Sequence, residues 1–483
     1  MMKVMFAYLP VEYEGYLCLS QNRFAKVRGD KELIFPLVPA TGLTLLHDAG
    51  YQVKFVDSVC DSLNLDAFTK QVEDFKPDLL VFESKTPVIK QNWKTADFLK
   101  EKFPNMKIAV VGDHVSVLPE ETMQNSKVDF VIRGGDFDLG MLKLANFLEG
   151  KEKSLPKGLY YREKGQIKNT GDYELVENLD MLPPINRDLF NWRDYHEAWR
   201  MYDEFMYMYG SRGCPYRCTF CSWPQMLYKQ KVRFRNVQNV LDEMENLVNK
   251  YGVKEFFFDD DSFTCNKKWV FDFCDGIKQR GIKAYWGTNG RVDNTDEEML
   301  VKMKEAGCRL IKYGIESVQQ STLDRINKGY TIEQVKKSFA LSKKVGILRH
   351  GTAMVGYPWE TKEDMLNTVK FVKSLDVDSV QFSIPIVYPG TALFKEAEEN
   401  NWLAFPPGDW EKYDMSQPTL KHPTMTPEEI VKMCADSWSS VYFSPKYIGR
   451  KIFRIRNYDD LRWTIRGMKT VLKGHIYALE KTN

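Results

Sequence analysis

Three cysteines lie within eight residues, in the segment SRGCPYRCTFC that contains Cys214, Cys218 and Cys221. In a reducing compartment, thiols this close together are typical of metal or redox chemistry. Structural zinc normally takes four protein ligands, and no fourth Cys or His lies close by in the sequence. The C-x-x-x-C-x-x-C spacing therefore favours a [4Fe–4S] cluster that keeps one iron free of protein ligands, with zinc or a redox dithiol as the alternatives.

Residues 1–150 alternate short apolar runs with segments of helical periodicity. The runs are rich in β-branched and aromatic residues and apolar almost throughout, which is typical of strands buried on both faces. The alternation predicts an α/β fold with a Rossmann-like, doubly wound parallel sheet, whose ligands bind at the carboxyl ends of the strands. The five predicted strands are KVMFAYL, QVKFVDS, DLLVFES, KIAVVGD and DFVIRGG.

Residues 151–200 interrupt this alternation with a predicted hairpin, GLYYREKGQIKNTG, and a proline-containing connector, and we interpret them as a linker. Over residues 201–395 six strand–helix units predict a partial (β/α)6 TIM-type barrel. The cysteine loop follows the first of these strands, at the end where such barrels carry their chemistry. Residues 396–483 are predicted to form a helical C-terminal region.

The composition is that of a large folded chain. Its 483 residues are 43% hydrophobic and 28% charged. The 68 Lys and Arg against 66 Asp and Glu leave a net charge of +2, which argues against a broad nucleic-acid-binding face. No apolar run approaches the ~18–20 residues of a membrane span, and the start MMKVMFAYLP is more typical of a first strand than of a signal peptide. We expect a soluble, cytoplasmic protein that acts on a small molecule.

The motif GCPYRCTFC followed by a partial barrel resembles the radical S-adenosylmethionine (SAM) enzymes. The resemblance implies that the free iron binds SAM, and that an electron from a donor such as flavodoxin or ferredoxin leads to a 5′-deoxyadenosyl radical. It also implies SAM contacts at the strand ends, although carboxylates there often only cap the next helix and a methionine often belongs to the core. The implied contacts are Phe220, Asp260, Asp261, Arg291, Glu316, Met354 and Gly356.

Residues 1–150 resemble the cobalamin-binding domain that precedes many radical SAM barrels, so cobalamin is the third expected cofactor. The Asp-x-His-x-x-Gly pattern that supplies a cobalt ligand in other cobalamin folds is missing after the first strand, where YLPVEYEG stands. His114 either faces the corrin or only satisfies its own loop, and the turn after the third strand would line the lower corrin face. The implied cobalamin contacts are Ser84, Lys85, Thr86, Asp113, His114 and Gly134.

The resemblance to this cobalamin-dependent subclass implies a methyltransferase. It would move a methyl group from SAM, through cobalamin, to an unactivated carbon or phosphorus of a small-molecule, lipid or natural-product substrate. A cyclase, oxidase or ring-rearranging enzyme is the alternative, because the same cofactor motifs serve both outcomes. A non-catalytic cobalamin or iron–sulfur sensor is disfavoured by the nearly complete set of strand-end motifs.

Two basic segments bear on substrate and partners. After the cysteine motif, arginines predicted at the cleft mouth would either hold an anionic group or begin a solvated helix. The tail over 441–483 has ten Lys and Arg against three Asp and Glu. We expect its apolar side to pack on the protein and its charges to face water, with a peripheral membrane contact as the alternative. The residues predicted at the mouth are Trp223, Gln225, Tyr228, Arg233 and Arg235.

Overall fold

The chain forms two α/β units, each built on its own sheet, followed by C-terminal helices. The computed structural model describes residues 1–13, 16–17, 19, 27–28, 32–197, 199–455 and 458–482. The last two residues of the YLPVEYEG segment, and residues 456–457 and 483 of the tail, lie outside this description. Within the described residues no helix is long and apolar enough to cross a membrane.

The first unit contains the five strands that the sequence predicts. Its strands are β1 (Lys3–Tyr8), β2 (Tyr16–Leu17), β3 (Val27–Arg28), β4 (Gln52–Asp57), β5 (Leu79–Glu83), β6 (Lys107–Val111), β7 (Phe130–Ile132), β8 (Leu159–Glu163) and β9 (Gln166–Asn169). The main sheet has the order β4–β1–β5–β6–β7–β8–β9, and β1 and β4–β7 are parallel. Its helices are α1 (Leu37–Asp48), α2 (Leu65–Phe75), α3 (Ile89–Lys102), α4 (Asp113–Val117), α5 (Pro119–Asn125) and α6 (Phe137–Leu148).

The predicted hairpin forms, but it belongs to the first sheet rather than to a free linker. β8 pairs antiparallel with β7, and β9 pairs with β8. Lys164 (φ +50°) and Gly165 (φ +79°) form the two-residue turn between them. The pairing satisfies the outer edge of β7, whose backbone groups would otherwise face solvent.

The second unit is a six-stranded, all-parallel open barrel in the order β10–β13–β14–β15–β16–β17, as predicted. Its strands are β10 (Phe205–Met208), β11 (Ser211–Gly213), β12 (Val232–Phe234), β13 (Glu255–Phe258), β14 (Tyr285–Gly290), β15 (Cys308–Glu316), β16 (Leu348–Met354) and β17 (Ser379–Ser383). Its helices are α7 (Ser222–Met226), α8 (Val237–Tyr251), α9 (Lys267–Arg280), α10 (Glu297–Glu305), α11 (Gln320–Arg325), α12 (Ile332–Val345), α13 (Lys362–Ser374) and α14 (Ala392–Glu399).

The barrel helices begin and end where local side chains satisfy the backbone. α12 starts at a capping box between Thr331 and Gln334 and ends at Gly346, which takes the left-handed conformation. α8 and α9 likewise begin at an asparagine cap and end at a glycine. β11 and β12 form an additional antiparallel ribbon that brackets the cysteine loop, and the sequence did not predict it.

Three helices complete the chain: α15 (Pro427–Tyr442), α16 (Pro445–Phe453) and α17 (Tyr458–Thr482). The Tyr442 hydroxyl contacts both backbone groups of Val380 in β17. Arg450 in α16 pairs with Asp376. The expectation for the tail is wrong in its orientation, because arginines face the barrel while Phe453 and other apolar side chains are exposed.

Candidate active site

The cysteine loop leaves β11 and ends in α7, at the carboxyl end of the barrel strands. Cys214 and Cys218 are buried, and Cys221 is partly buried. Gly213, just before the first cysteine, has φ +86°, and a Cβ there would lie 2.0 Å from the carbonyl oxygen of Lys231. The β11–β12 ribbon can therefore close behind the loop only because this residue is glycine.

The side-chain amide of Gln225 in α7 holds the loop in shape. Its Nε2 atom donates to the carbonyl oxygens of Cys218 (3.1 Å), Thr219 (3.2 Å) and Cys221 (2.6 Å). Its Oε1 atom accepts from the backbone N–H of Ala392, at the start of α14 (3.0 Å). One residue thus ties the cysteine backbone to the last unit of the barrel.

The surroundings of Cys214 and Cys221 disfavour their thiolate forms. Burial raises the pKa of Cys214 to about 12 and the pKa of Cys221 well above the ordinary thiol value, and the negative charge of Asp261 adds to both shifts. Thiolates at these positions therefore require a bound metal centre to balance their charge.

The spacing of the sulfur atoms bears on which metal centre fits. Tetrahedral zinc brings its sulfur ligands to about 3.8 Å from one another, given its ~2.3 Å bonds. Among the described residues, one group of three ligand atoms lies within 4.8 Å of one another, and the loop thiols are not that group. The three loop sulfur atoms therefore do not all lie within that distance of one another, which is compatible with a cluster that takes each thiolate on a different iron. The compact group is Cys60, Asp61 and Asp194.

Asp260 and Asp261 follow β13, as predicted, but they differ in their surroundings. Asp260 is buried and accepts from the N–H of Gly210 (3.0 Å) and the hydroxyl of Ser211 (2.5 Å). Burial raises the pKa of Asp260 to about 7. Asp260 therefore holds the start of β11, and its SAM contact stays a prediction, while Asp261 borders a small cavity together with Trp223.

Glu316 ends β15 in a left-handed conformation (φ +60°) that is uncommon outside glycine. Its Oε1 atom accepts from Nζ of Lys328 (2.6 Å), and that nitrogen lies 5.4 Å from the centre of the Phe220 ring. The Oε2 atom is buried without a hydrogen-bond partner, which marks a position for a ligand donor. The sequence predicts Glu316 and Phe220 but not Lys328, because no local pattern distinguishes it.

Arg291 lies beside the cysteine loop. Its guanidinium stacks on Tyr216 at 3.6 Å from the ring centre, pairs with Asp293 at 2.9 Å, and has Nη1 3.9 Å from Sγ of Cys218. The predicted residues Arg291 and Phe220 are thus brought to the same end of the barrel as the cysteines. Tyr216 and Asp293, which orient Arg291, were not predicted.

Met354 and Gly356 lie at the end of β16. The Sδ atom of Met354 accepts from the Tyr357 hydroxyl (3.1 Å). Gly356 has φ +108°, and a Cβ there would lie 2.7 Å from Cγ2 of Ile430 in α15. The contact with α15 therefore requires glycine at this position independently of any SAM contact.

In the first unit, Lys85 belongs to a buried group of charges at the carboxyl ends of the strands. Its Nζ atom lies 2.7 Å from Glu83 Oε1 and 3.5 Å from Asp113 Oδ2. The Tyr8 hydroxyl donates to the other oxygen of Glu83 (2.6 Å). The same ammonium lies 4.8 Å from the centre of the Trp223 ring in α7, so this group reaches the second unit.

His114 is fully buried, and both of its ring nitrogens have partners. Nδ1 lies 3.2 Å from Thr86 Oγ1, and Nε2 lies 3.1 Å from a carboxylate oxygen of Glu121. The indole of Trp410 packs edge-on against the imidazole and donates to the other oxygen of Glu121. His114 therefore satisfies its own surroundings, which favours the second of the two roles that the sequence left open.

Ser84 accepts from Nδ2 of Asn92 (2.8 Å), and Oδ1 of Asn92 is buried without a hydrogen-bond partner. This orphaned acceptor, which the sequence did not predict, fits a ligand donor beside the predicted turn. Gly134 instead faces protein, since a Cβ there would lie 2.3 Å from the Tyr173 ring. The glycine thus admits a side chain of the connector, which differs from its predicted place beside a corrin.

Both arginines predicted at the cleft mouth are buried in ion pairs, so they neither wait for an anionic ligand nor face solvent. Arg233 is buried against Asp136, and Arg235 is buried against Glu243 (2.7 Å). Arg212 joins the first pair, so a buried charge network crosses between the two units. Because these partners are far apart in the sequence, neither interpretation of the arginines anticipated them.

Gln225 does line an open groove, as predicted for the mouth. The groove has a volume of about 680 Å³ and lies between the first unit, the end of the barrel and the segment around Trp410. This volume falls in the range of small-molecule sites. Val117 and Glu121 form one wall, and Phe394 lies among the residues opposite.

Two family models match the chain, in agreement with this division. The model of the radical SAM superfamily matches residues 208–372, which hold the cysteine loop and most of the barrel. The model of the B12 (cobalamin) binding domain matches residues 43–137 of the first unit.

Relatives match over nearly the whole length. An uncharacterized methyltransferase of Pyrococcus horikoshii is 33% identical over 446 residues, 91% of this chain and 95% of the relative. The anaerobic magnesium-protoporphyrin IX monomethyl ester cyclase of Cereibacter sphaeroides is 28% identical over 82% of this chain and 65% of the relative. The solved structure of TsrM from Kitasatospora setae, a radical SAM methyltransferase with cobalamin and a [4Fe–4S] cluster bound, superposes with a TM-score of 0.71 at 16% identity, over 99% of this chain and all of that one.

These matches, the two sheets and the cysteine loop define an enzyme of the radical SAM class with a cobalamin-binding domain. The chain belongs to the cobalamin-dependent radical SAM methyltransferase family, which confirms the predicted family and fold. The [4Fe–4S] cluster, SAM and cobalamin that the sequence predicts are the cofactors of this family.

Proposed function

We propose that the protein transfers a methyl group from SAM, by way of cobalamin, to an unactivated carbon or phosphorus of a small-molecule, lipid or natural-product substrate. The observation that carries this proposal is the contact of Lys85, at the end of the first sheet, with Trp223, which directly follows the cysteine loop. It joins the two cofactor regions where a methyl group would have to pass. Whole-length similarity to a methyltransferase supports the same reaction.

In this proposal Cys214, Cys218 and Cys221 bind the cluster and Gln225 holds their backbone. When bound, the cluster would supply the electron for SAM cleavage and cobalamin would carry the methyl group. Glu316 offers its free carboxylate oxygen to SAM, with Lys328 fixing the carboxylate. Further proposed neighbours of SAM are Phe220, Asp261, Arg291 and Met354.

The proposed cobalamin site lies at the carboxyl ends of β5 and β6. In this proposal Ser84, Lys85 and Asp113 line the site. Thr86 and His114, which contact each other, hold the turn in place. We further propose a cytoplasmic enzyme that receives electrons from a flavodoxin or ferredoxin and does not bind nucleic acid. The groove of about 680 Å³ is the proposed substrate entrance.

Product analysis of the anaerobically reconstituted full chain tests the reaction. With reductant and SAM, we expect both S-adenosylhomocysteine and 5′-deoxyadenosine. Replacing any one of the three loop cysteines with alanine should abolish deoxyadenosine formation and the visible absorbance of the cluster. Cys434→Ala, in α15, is the matched control and should change neither.

Cyclisation or oxidation without methyl transfer is the second candidate, supported by the similarity to the cyclase of Cereibacter sphaeroides. The same assay separates the two, because deoxyadenosine without S-adenosylhomocysteine would reject methyl transfer. If a cluster-loaded protein forms neither product, both candidates are rejected and a non-catalytic sensor is supported.

A further inference from the structure

The two C-terminal helices turn apolar side chains toward the outside of the molecule. α16 buries none of its side chains, and Ile452 is 59% and Phe453 83% exposed. Along α17 the exposed apolar residues recur at i, i+4, i+7 and i+11, which places them on one helix face. We call the exposed apolar side chains of α16 and α17 together the C-terminal apolar face; they are Ile448, Ile452, Phe453, Leu461, Ile465, Met468 and Leu472.

The side of these helices that faces the rest of the protein makes its contacts through polar and aromatic side chains. Arg454 pairs with Asp378 just before β17. The Trp463 indole donates to the carbonyl oxygen of Trp199 (3.0 Å). Surface helices ordinarily bury their apolar stripe and expose their charges. Here the orientation is the reverse, and an exposed apolar surface of this kind is typical of an interaction site.

Charges beside the face indicate the chemistry of that partner. Lys469 is exposed next to Met468, and Lys473 follows Leu472 in the same position one turn on. The arginines of the two helices instead pair with aspartates of the same chain, so these lysines are the cations that the proposal uses; the pairs are Arg450 with Asp376, Arg454 with Asp378, and Arg462 and Arg466 with Asp203. Cations flanking an apolar stripe complement a surface that is anionic outside and hydrocarbon within.

We propose that the C-terminal apolar face lies on an anionic phospholipid bilayer and holds the enzyme there as a peripheral membrane protein. A second copy fits the face less well in an antiparallel two-fold contact, because that contact would bring the rows of Lys469 and Lys473 toward each other. Helix insertion to the depth of these side chains needs no membrane-spanning segment.

The face lies away from the chemistry. α17 packs near Trp199, ahead of β10, and its Trp463 ring lies beside Arg309 at the start of β15. These are the amino ends of the strands, whereas the cysteine loop is at the carboxyl ends. Membrane attachment therefore leaves the groove open to water, and loss of attachment leaves turnover unchanged.

Vesicle flotation of the reconstituted full chain tests the proposal. We expect binding to vesicles that contain phosphatidylglycerol, weak binding to pure phosphatidylcholine, and a decline with added salt. Met468→Glu combined with Leu472→Glu should weaken binding at least tenfold, and Lys469→Glu alone about fivefold. The matched control is Val301→Glu with Leu366→Glu, two similarly exposed apolar residues on α10 and α13, which should bind like the unaltered protein.

Circular dichroism checks that each variant keeps its helices. The salt dependence of vesicle binding by the unaltered chain tests the proposal without any variant. Absence of binding to phosphatidylglycerol vesicles at low salt would overturn the proposal. Equal binding of the Met468→Glu, Leu472→Glu variant would do the same. A dimer in sedimentation that this variant dissociates, without vesicle binding, would assign the face to a second copy instead.

Discussion

The ammonium group of Lys85 lies over the Trp223 ring, 4.8 Å from its centre, and at 2.7 Å from Glu83. This contact places the end of a strand in the first sheet directly against the helix that follows the cysteine loop. A buried cation shared between carboxylates and an aromatic face is fixed in position by all of them. This contact therefore fixes the position of the first unit relative to the cysteine loop, at the point where the proposed methyl transfer occurs.

Lys85→Met should destabilise the protein by about 3 kcal/mol, because Glu83 and Asp113 would be left buried without their cation. Although burial works against the charged form, the two carboxylates hold the pKa of Lys85 above its ordinary value. Denaturant unfolding of the cofactor-free chain measures the loss. Lys90→Met, which breaks only an exposed pair with Glu411, should cost less than about 1 kcal/mol. Equal losses for the two variants would contradict the buried role of Lys85.

Arg212 makes the second strong contact between the units. It pairs with Asp138 at 2.7 Å and Asp136 at 3.2 Å, and Arg233 also pairs with Asp136. Although burial alone raises the pKa of Asp136, the two guanidinium groups hold it below its ordinary value. Since Arg212 stands in β11, two residues before Cys214, this network also sets the position of the cysteine loop.

Arg212→Met should therefore cost about 3–5 kcal/mol in unfolding free energy, the usual penalty for leaving a buried charge unpaired. The same change should make the connector between the units more susceptible to limited proteolysis. Arg280→Met, on α9, removes surface pairings with Asp242 and Glu245, whose side chains are 64% and 44% exposed, and serves as the control. A proteolysis pattern identical to that of the unaltered chain would argue that other contacts hold the units together.

The parallel strands of both units could be located from the sequence, because strands buried on both faces are apolar throughout. β5 and β13 are examples: every residue in them is buried. The cysteine motif and the end of β15 were predictable for a similar reason, since each directly follows such a strand. The pattern of apolar residues within one segment was therefore sufficient to predict these strands.

Contacts between distant segments were not predictable in this way. Arg233 pairs with Asp136, 97 residues earlier, and nothing near either residue indicates the pairing. The β11–β12 ribbon has only three residues in each strand, too few for a periodic signal. The orientation of α17 was missed because an amphipathic pattern predicts two faces without stating which one meets the protein.

Gln225→Ala should speed the loss of iron from the reconstituted protein about tenfold. Its amide nitrogen has two hydrogens to share among three loop carbonyls, so about 1–2 kcal/mol of hydrogen bonding is removed from the cluster-bound loop. The rate at which a chelator bleaches the visible absorbance measures the effect. Gln238→Ala, on the surface of α8, should bleach at the rate of the unaltered protein. If Gln225→Ala does so too, the amide does not hold the loop.

Asp57, in the first unit, makes the stability of the protein depend on pH. It is buried at the end of β4, where Tyr195 donates to it at 2.8 Å, and burial raises the pKa of Asp57 to about 6. Between its unfolded pKa near 3.8 and about 6, the folded state holds more proton than the unfolded state, so the unfolding free energy falls as pH rises through this window.

Asp57→Asn should remove that fall. The amide keeps an acceptor for the N–H of Cys60 and carries no charge, so the variant should gain about 3 kcal/mol relative to the unaltered chain between pH 4 and pH 7. Denaturant unfolding at several pH values gives the difference directly. Asp66→Asn, exposed in the first turn of α2, should shift the curve by no more than about 0.5 kcal/mol at any pH. Parallel pH profiles for Asp57→Asn and the unaltered protein would show that the Asp57 carboxyl titrates alike in both states.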